Sequence, residues 1–556
     1  MKRLFPIAEW LPSYEGGNLR LDVFAALAVW AIVVPESMAY ASIAGMPPET
    51  GLYAATAPLL AYVIFGTSKR MTVGPSSAAA AVSASTIFPL SEGDPGRFIQ
   101  LSVMLALLAG VFLILGGLLK FGAVAKFLSG PVLTGFLVGV ALDIALGQSE
   151  KLFGVELEGE GFFTEAWSLI TQIPDAHGLT VLVGFGSLAF LWAAHRFFPK
   201  LPGTLFLVVG AIGITVLLGL EALGLEVAGD IPGGLPQLGL PDIAAGDIAL
   251  LIPGALAISL VGFGETIAVA QSFGRKHGET VDPDQEMLAI GTSNVAGGLT
   301  GAFFGNGSTS RTAAGDSAGQ QTQVSGLVVV ALLIVTMLVL TPLFHSLPEA
   351  TLGAIVIHAV WHLISSEEFV RLWRTYRSDS IAAIGTVLGV LVVGVLPGLA
   401  IGVAISLAAL MGRAISPNTA RLAFDEASQL YLDIHEHPDL TPPDGIEIVR
   451  FDAPLFFANV DALRDAVEKA AAEPGVHAVV IDARGITDID TTAHEGLKEL
   501  RQDLEARGLI LEIAQVREFL IPTIEDFDPG ATERLFPSVR SAVEHIQTRG
   551  DSRHSD

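Results

Sequence analysis

The sequence contains no cysteine and few positive charges, and both absences limit what the protein can be. Without Cys the chain cannot form disulfides, thiolate metal sites or a Cys nucleophile. Lys and Arg number 31 against 57 Asp and Glu, and the formal net charge is −26. Such a balance argues against a protein that binds nucleic acid or an anionic surface.

Charged residues of either sign are scarce, at 16%, whereas 51% of the 556 residues are hydrophobic and the mean hydropathy is +0.58. A chain of this length and apolarity is expected to be a polytopic α-helical membrane protein. The acidic excess is concentrated near the end. From residue 421 onward 28 acidic residues stand against 13 basic ones, so −15 of the −26 lies there and −11 before it.

Apolar runs separated by Gly, Pro and charged clusters predict fourteen membrane segments between residues 20 and 415. Two of them, 75–89 and 308–320, are shorter than the ~20 residues that a crossing helix needs. If residues 1–19 are cytoplasmic and both short segments count as crossings, the basic clusters fall inside and the acidic loops outside. We therefore expect a multi-pass protein of the plasma (inner) membrane with both termini in the cytoplasm.

Two stretches of the membrane part repeat one another. Residues 35–45 reappear 229 positions later as 264–274, with a Glu, two Ala and a Gly identical, and residues 74–80 match 307–313 at an offset of 233. Fourteen segments with this offset form seven plus seven, and an odd repeat unit inverts the second half relative to the first. An inverted repeat of this kind places a transport site between its halves, near the bilayer midplane.

Small hydroxyl residues mark the start of a short helix in each repeat. They are Ser76 and Ser77 in the first and Ser308, Thr309 and Ser310 in the second. In an inverted pair these helix N-termini face each other with free N–H groups and positive dipole ends, so an anion is expected between them. Arg311 would add a full positive charge facing a hydrated cavity; a structural ion pair is its alternative role.

Glu36 and Glu265 occupy equivalent positions in the first span of each half. Inversion would bring them to opposite sides of one site. Two carboxylates beside an anion repel it unless a proton or cation neutralises at least one of them, which predicts coupling to H⁺ or Na⁺. The alternative for each Glu is a structural role, capping neighbouring backbone.

Other polar residues within spans are weaker candidates. Asp143 lies towards the external end of its span, which favours an ordinary surface role. His358 and His362 are four residues apart on an apolar helix, a spacing compatible with metal binding, but helix packing explains them better without a third ligand.

After residue 417 the composition becomes that of a soluble α/β domain, which we place at 424–548, followed by a disordered polar tail at 549–556. The sequence predicts strands at 446–451, 478–482 and 509–513 and helices at 460–472 and 492–506.

These features together resemble the SulP family of anion transporters, which join a fourteen-span membrane domain to a cytoplasmic STAS domain. Motifs similar to those of the family lie at residues 35–41, 44–48, 51–53, 127–132, 135–136 and 306–311. The resemblance implies a homodimer in the lipid bilayer with a small anion as substrate, no nucleic-acid partner and no cofactor other than a coupling H⁺ or Na⁺.

The resemblance also implies roles for particular residues. An anion would lie between the third and tenth spans, with Arg311 supplying positive field, in contact with Ser76, Ser77 and Ala78 on one side and Ser308, Thr309 and Ser310 on the other. In sodium-coupled members the equivalent of Glu265 binds Na⁺ with groups that match Gly307, Ser308 and Thr309. Many relatives carry Gln where this chain has Glu36, a departure that favours proton-linked transport of bicarbonate or a carboxylate.

In the tail, residues 489–492 resemble the STAS loop that is phosphorylated in anti-sigma antagonists, which makes Thr491 and Thr492 candidate regulatory residues. Ala493 and His494 replace the Gly that follows in that loop. The replacement argues against phosphorylation and for a role of this domain in docking and dimer support.

The sequence thus predicts secondary active transport of a small anion of the bicarbonate, sulfate or dicarboxylate class, coupled to H⁺ or Na⁺ by alternating access. An uncoupled exchanger or channel is the alternative within transport. A nucleobase–cation symporter could share the architecture, but Arg311 and the STAS-like tail argue against it. A membrane-embedded enzyme would need a nucleophile or metal cluster, which a chain without Cys and with scattered His does not offer.

Overall fold

A computed structural model describes residues 5–122, 130–159, 161–198, 202–361, 363–364, 366–375, 377–528 and 534–553. The chain divides into two compact units, Met1–Ser406 and Leu407–Asp556. Within the described residues the first unit is helical apart from two short strands, and the second is α/β.

The first half of the membrane unit contains nine helices in its described part. They are α1 (Ile7–Trp10), α2 (Leu19–Ile43), α3 (Pro48–Phe65), α4 (Ser77–Ser91), α5 (Pro95–Leu118), α6 (Gly130–Phe153), α7 (Phe162–Gln172), α8 (Gly178–Phe197) and α9 (Gly203–Leu218). A short strand, β1 (Thr72–Gly74), leads into α4.

The second half contains eight helices in its described part. They are α10 (Ala245–His277), α11 (Pro283–Leu299), α12 (Thr309–Ser317), α13 (Val324–Val335), α14 (Glu349–Trp361), α15 (Ser366–Thr375), α16 (Arg377–Val393) and α17 (Val395–Ile415). A short strand, β2 (Asn306–Ser308), leads into α12, and α13 continues as π and 3₁₀ turns to Phe344.

Three of these helices, α1, α7 and α15, are short, and the last two expose apolar residues such as Trp167 and Trp373 beside polar ones. The other fourteen, counted over the described residues, divide into seven in each half, as the repeat predicts. Seven of the fourteen are long and apolar enough to cross a bilayer by length and composition alone. The two predicted short segments are α4 and α12, which begin only after a strand.

Glycines set how closely the helices pack. A Cβ on Gly110 of α5 would lie 2.8 Å from the carbonyl oxygen of Gly291 on α11. A Cβ on Gly135 of α6 would lie 2.2 Å from the carbonyl oxygen of Ala383 on α16. Backbones in such contact leave no room for a side chain, which is the usual way membrane helices pack. The pairs belong to two bundles, one around α2–α5 and α10–α13 and one around α6, α8, α14 and α16.

The second unit is a six-stranded sheet in the order β4-β3-β5-β6-β7-β8. The strands are β3 (Thr419–Asp425), β4 (Leu430–Asp433), β5 (Ile446–Phe451), β6 (Ala478–Asp482), β7 (Ile510–Ala514) and β8 (Leu535–Phe536). The last four are parallel, and β3 and β4 form an antiparallel hairpin at one edge. One face packs on α18 (Val460–Ala471), α19 (Thr491–Ala506) and α20 (Ile521–Phe527), and the other on α21 (Val539–Arg553).

The limits of this unit differ from those that the sequence predicts. The predicted domain start, residue 424, lies inside β3, because the hairpin precedes the first strongly apolar strand. The helix α21 continues to Arg553, into the predicted disordered tail, since no proline interrupts it. Of the family-like motif at 127–132, residues 127–129 lie outside the described residues.

Candidate substrate site

The two repeats meet where β1 and β2 pair. The strands are antiparallel, with Val73 opposite Gly307 and Gly74 opposite Asn306. A Cβ on Gly305 would lie 2.9 Å from the carbonyl carbon of Gly74, so only glycine fits at this crossing. Pairing of the two strands satisfies backbone N–H and C=O groups, to which lipid offers no hydrogen bonds. The crossing brings the starts of α4 and α12 together, as the sequence predicts for an inverted repeat.

Both helices are capped by serine. Ser76 Oγ accepts a hydrogen bond from the backbone N–H of Ala79 at 3.3 Å, and Ser308 Oγ accepts one from the N–H of Arg311 at 3.4 Å. The N–H groups between cap and acceptor donate to no protein group within the described part of the chain; they belong to Ser77, Ala78, Thr309 and Ser310. Two helix N-termini therefore present free donors at the crossing, and both dipoles favour an anion there.

The two helix starts differ in exposure. Thr309 and Ser310 are exposed, and Ser76 is half-buried, whereas Ser77 and Ser308 are buried. Ser308 Oγ also lies 3.2 Å from Ser310 Oγ. The α12 start is therefore accessible to a solute, and its hydroxyls are grouped on the accessible side.

Arg311 is fully enclosed, with 0% of its surface exposed. It reaches from the second repeat into the first, where Nη2 donates to the carbonyl oxygen of Pro75. Its Nε and Nη1 have no partner among the described residues. The expectation that Arg311 faces a hydrated cavity is therefore wrong, because the crossing backbone of the first repeat covers the guanidinium.

The two acidic residues have different surroundings. Glu265 is half-buried, and its Oε2 accepts a hydrogen bond from Asn306 Nδ2 at 2.5 Å. Glu36 is 8% exposed, and its Oε2 has no hydrogen-bond partner in the described structure. Glu36 interacts electrostatically with Arg311. The repeat position equivalent to Asn306 is Val73, which has no amide to donate, and this explains the difference.

Tyr40 joins these groups and is a residue that the sequence did not identify. It is 6% exposed, lies one turn after Glu36 on α2, and interacts electrostatically with Glu36, Glu265 and Arg311. Its position four residues after Glu36, within the repeated segment 35–45, is the sequence feature that could have identified it. Three charged groups and a phenol thus converge at the crossing.

Several neutral residues fix the strands in place. The backbone N–H of Gly307 donates to Thr266 Oγ1 at 2.9 Å, and the N–H of Thr72 donates to Thr312 Oγ1 at 3.1 Å. Asn294 on α11 makes two hydrogen bonds with Gly305, both of 2.8 Å. These residues were not identified from the sequence. The hydrogen-bond partner of a buried Thr or Asn in an apolar helix can be assigned only when the positions of β1 and β2 are known.

A family model described as the sulfate permease family matches residues 19–386, and a model for the STAS domain matches residues 437–542. The chain belongs to the sulfate permease family. The probable sulfate transporter Rv1739c of Mycobacterium tuberculosis is 34% identical over 98% of this chain and 99% of its own length. The chloroplastic sulfate transporter 4.1 of Arabidopsis thaliana is 29% identical over 92% of this chain and 77% of its own length.

Solved structures show the same fold. The structure of SLC26A9 matches with a TM-score of 0.90 at 24% identity and covers 100% of this chain and 94% of that one. The transmembrane domain of the cyanobacterial bicarbonate transporter BicA matches with a TM-score of 0.62 at 22% identity, over 70% of this chain and 98% of that one. The fourteen-segment inverted repeat followed by a STAS domain is thereby confirmed. Its relatives in the sulfate permease family are transporters, so the chain is a membrane transport protein rather than an enzyme.

The remaining candidates of the sequence lie away from the crossing. Asp143 on α6 interacts with Glu165 on α7. The ring of His358 on α14 lies 6.0 Å from that of His195 on α8, His362 lies outside the described residues, and the described residues contain no group of three metal-ligating side chains. Thr491 and Thr492 are exposed at the start of α19, whose cap is Asp490.

Proposed function

We propose that the protein is a secondary active transporter of a small anion, coupled to H⁺ or Na⁺ by alternating access. The observation that carries the proposal is the convergence of two helix N-termini with Arg311, Glu36 and Glu265 at the crossing of β1 and β2. The names of the relatives support sulfate or bicarbonate as the anion, and a dicarboxylate is chemically similar. A backbone-and-hydroxyl cradle suits all three.

In the proposed site the anion lies between the two helix starts. Ser76, Ser77 and Ala78 would contact it from α4, and Ser308, Thr309 and Ser310 from α12. Arg311 contributes a positive field from behind the crossing, since Pro75 already accepts one of its N–H groups. This arrangement needs no direct contact between guanidinium and anion.

Coupling follows from the charges. With both carboxylates ionised, Glu36, Glu265 and Arg311 carry a net charge of −1, which repels an anion. A proton on one carboxylate, or a Na⁺ bound by Glu265 with Gly307, Ser308 and Thr309, removes that repulsion. By linkage the anion then favours binding of the cation to the same degree. Each species is therefore carried best when the other is present.

Movement of one bundle against the other would expose the site to each side in turn. The bundle with α2, α4, α10 and α12 carries every residue of the site, and the bundle around α6, α8, α14 and α16 carries none. We place the protein in the plasma (inner) membrane with cytoplasmic termini, following the distribution of basic residues. The resemblance to the family supports a homodimer.

The test is uptake of labelled sulfate and bicarbonate into proteoliposomes with an imposed pH or Na⁺ gradient at a fixed membrane potential. Glu265→Gln is expected to abolish cation-driven accumulation and retain some exchange. Glu36→Gln is expected to keep exchange and flatten its pH dependence. Asp143→Asn is the matched control, since it makes the same carboxyl-to-amide change within α6, away from the crossing. If both Glu variants accumulate anion as the unchanged protein does, the uncoupled exchanger or channel takes the place of this proposal.

A further inference from the structure

The second unit contains a cleft that the transport site does not use. It lies between α19, α20 and β7 and has a volume of about 60 Å³. That volume holds roughly four ordered water molecules, so it suits a molecule of only a few heavy atoms. Its walls are mainly apolar, with Leu497, Ile513, Ile524 and Phe527 among them.

His494 gives the cleft a buried polar atom without a partner. The side chain is 7% exposed, and its Nδ1 lies 3.0 Å from the carbonyl oxygen of Asp490. A carbonyl only accepts, so Nδ1 carries the hydrogen of that bond. Nε2, on the opposite edge of the ring from the start of α19, is buried and has no partner among the described residues. A buried polar atom of this kind calls for a ligand or water to complete it.

Basic side chains line the rim of the cleft. Arg501 Nη2 lies 2.8 Å from Asp528 Oδ2, and Lys498 Nζ lies 3.7 Å from Asp528 Oδ1. Among the described residues, these two cations share the carboxylate of Asp528. Arg534 also lines the cleft, where it pairs with Glu505 and interacts electrostatically with Glu512 and Asp528.

We propose that this cleft binds a short-chain monocarboxylic acid. A carboxyl group fits His494 in either protonation state: as an acid it donates to Nε2, and as a carboxylate it accepts from the protonated ring. As a carboxylate it also interacts with Lys498 and Arg501 at the rim, and its alkyl part contacts Leu497, Ile524 and Phe527. A molecule with an anionic head and no apolar part would leave those walls unoccupied.

The test uses the full chain in detergent and labelled propionate as the probe, measured by equilibrium dialysis. All measurements are made in an Arg311→Ala background, so that the transport site contributes least to binding. Saturable binding is expected. His494→Phe keeps the ring against Phe527 but removes both nitrogens, and it should weaken propionate binding at least about tenfold.

Two further variants separate the site from general effects on folding. Ile524→Trp fills the cleft without changing His494 and should abolish binding. His437→Gln alters an exposed histidine of the same unit and should leave binding unchanged. Three results would each overturn the proposal. They are absence of saturable binding, binding by His494→Phe or Ile524→Trp as tight as by the Arg311→Ala protein without them, and displacement of propionate by inorganic phosphate as readily as by acetate.

Discussion

Arg311 shows how one side chain joins the two repeats. Arg311 lies in the second repeat, but its guanidinium donates a hydrogen bond to Pro75 of the first repeat. Its Nη1 also packs against Gly74 of the first repeat. Because an enclosed charge is poorly screened, its field acts on the helix starts at close range. In the proposed site, the position of the anion therefore depends on the fit between Arg311 and the backbone of β1.

Gly74→Ala tests this fit. The added Cβ would lie 2.8 Å from Arg311 Nη1 and 3.4 Å from the Cα of Ala55, so the guanidinium must move. We expect apparent anion affinity to fall about tenfold, with a smaller effect on expression. Gly264→Ala is the matched control, because a Cβ there meets nothing within 4 Å although Glu265 is adjacent. Equal affinity of the two variants in labelled-anion uptake would show that Arg311 does not position the site.

Asn306→Val gives the second repeat the residue that the first repeat has at Val73. It removes the amide that donates to Glu265, while the strand backbone is kept. We expect the dependence of uptake on a cation gradient to weaken while anion exchange persists. Thr292→Val is the control, since among the described residues that hydroxyl donates to the carbonyl oxygen of Ala289 within its own helix. Unchanged coupling in Asn306→Val would remove this hydrogen bond from the coupling mechanism.

At the scale of elements, the sequence repeat predicted the two helix starts that form the proposed site. It did not predict the neighbouring side chains that hold the strands in place. The serine caps and the meeting of two helix N-termini follow from residues 74–80 and 307–313, because caps are local signals. Asn294 and Thr266 form hydrogen bonds with the backbone of Gly305 and Gly307, at or beside β2. The position of this three-residue strand is not set by any local sequence pattern, so these bonds could not be predicted. The hairpin of β3 and β4 was missed for a similar reason, since β4 has four residues and none of them is fully buried.

Asp482 at the end of β6 gives a pH-dependent prediction. Burial raises the pKa of the Asp482 carboxyl, with the backbone N–H of Arg484 acting in the opposite direction. The folded state thus holds its proton more tightly than the unfolded state, so this residue costs stability as pH rises through its ordinary range. Asp482→Asn keeps the acceptor for Arg484 and should raise the unfolding temperature at neutral pH. Thermal unfolding of both proteins should converge in acid; a gain that is largest in acid would contradict the assignment.

At the scale of the whole molecule, the second unit supplies no residue to the proposed transport site. Every proposed contact to the anion comes from residues before 312, and removal of the STAS domain should leave anion preference unchanged. We expect a chain ending at residue 416 to show lower yield and weaker dimerisation with the same order of anion preference. Light scattering after size-exclusion chromatography and counterflow of labelled anions measure the two properties.

A chain ending at residue 424 is the informative comparison. It keeps most of β3, including Leu422 and Ala423, which are both fully buried in the complete protein. Without β5 these residues and the strand edge are exposed, so this longer chain should aggregate more than the shorter one. A changed anion preference in both truncated chains would show that the STAS domain contributes to selectivity.

The pairing of β1 with β2 also has a consequence for how the protein is made. Gly74 leaves the ribosome long before its partner Asn306, and at typical rates of synthesis the delay is roughly ten to fifty seconds. During that time the backbone of β1 has no strand to pair with, although lipid cannot satisfy it. Until the second half is made, the unpaired backbone of β1 therefore needs water or a chaperone to satisfy its hydrogen-bonding groups. Biogenesis is thus expected to end in one late, concerted closure of the two halves.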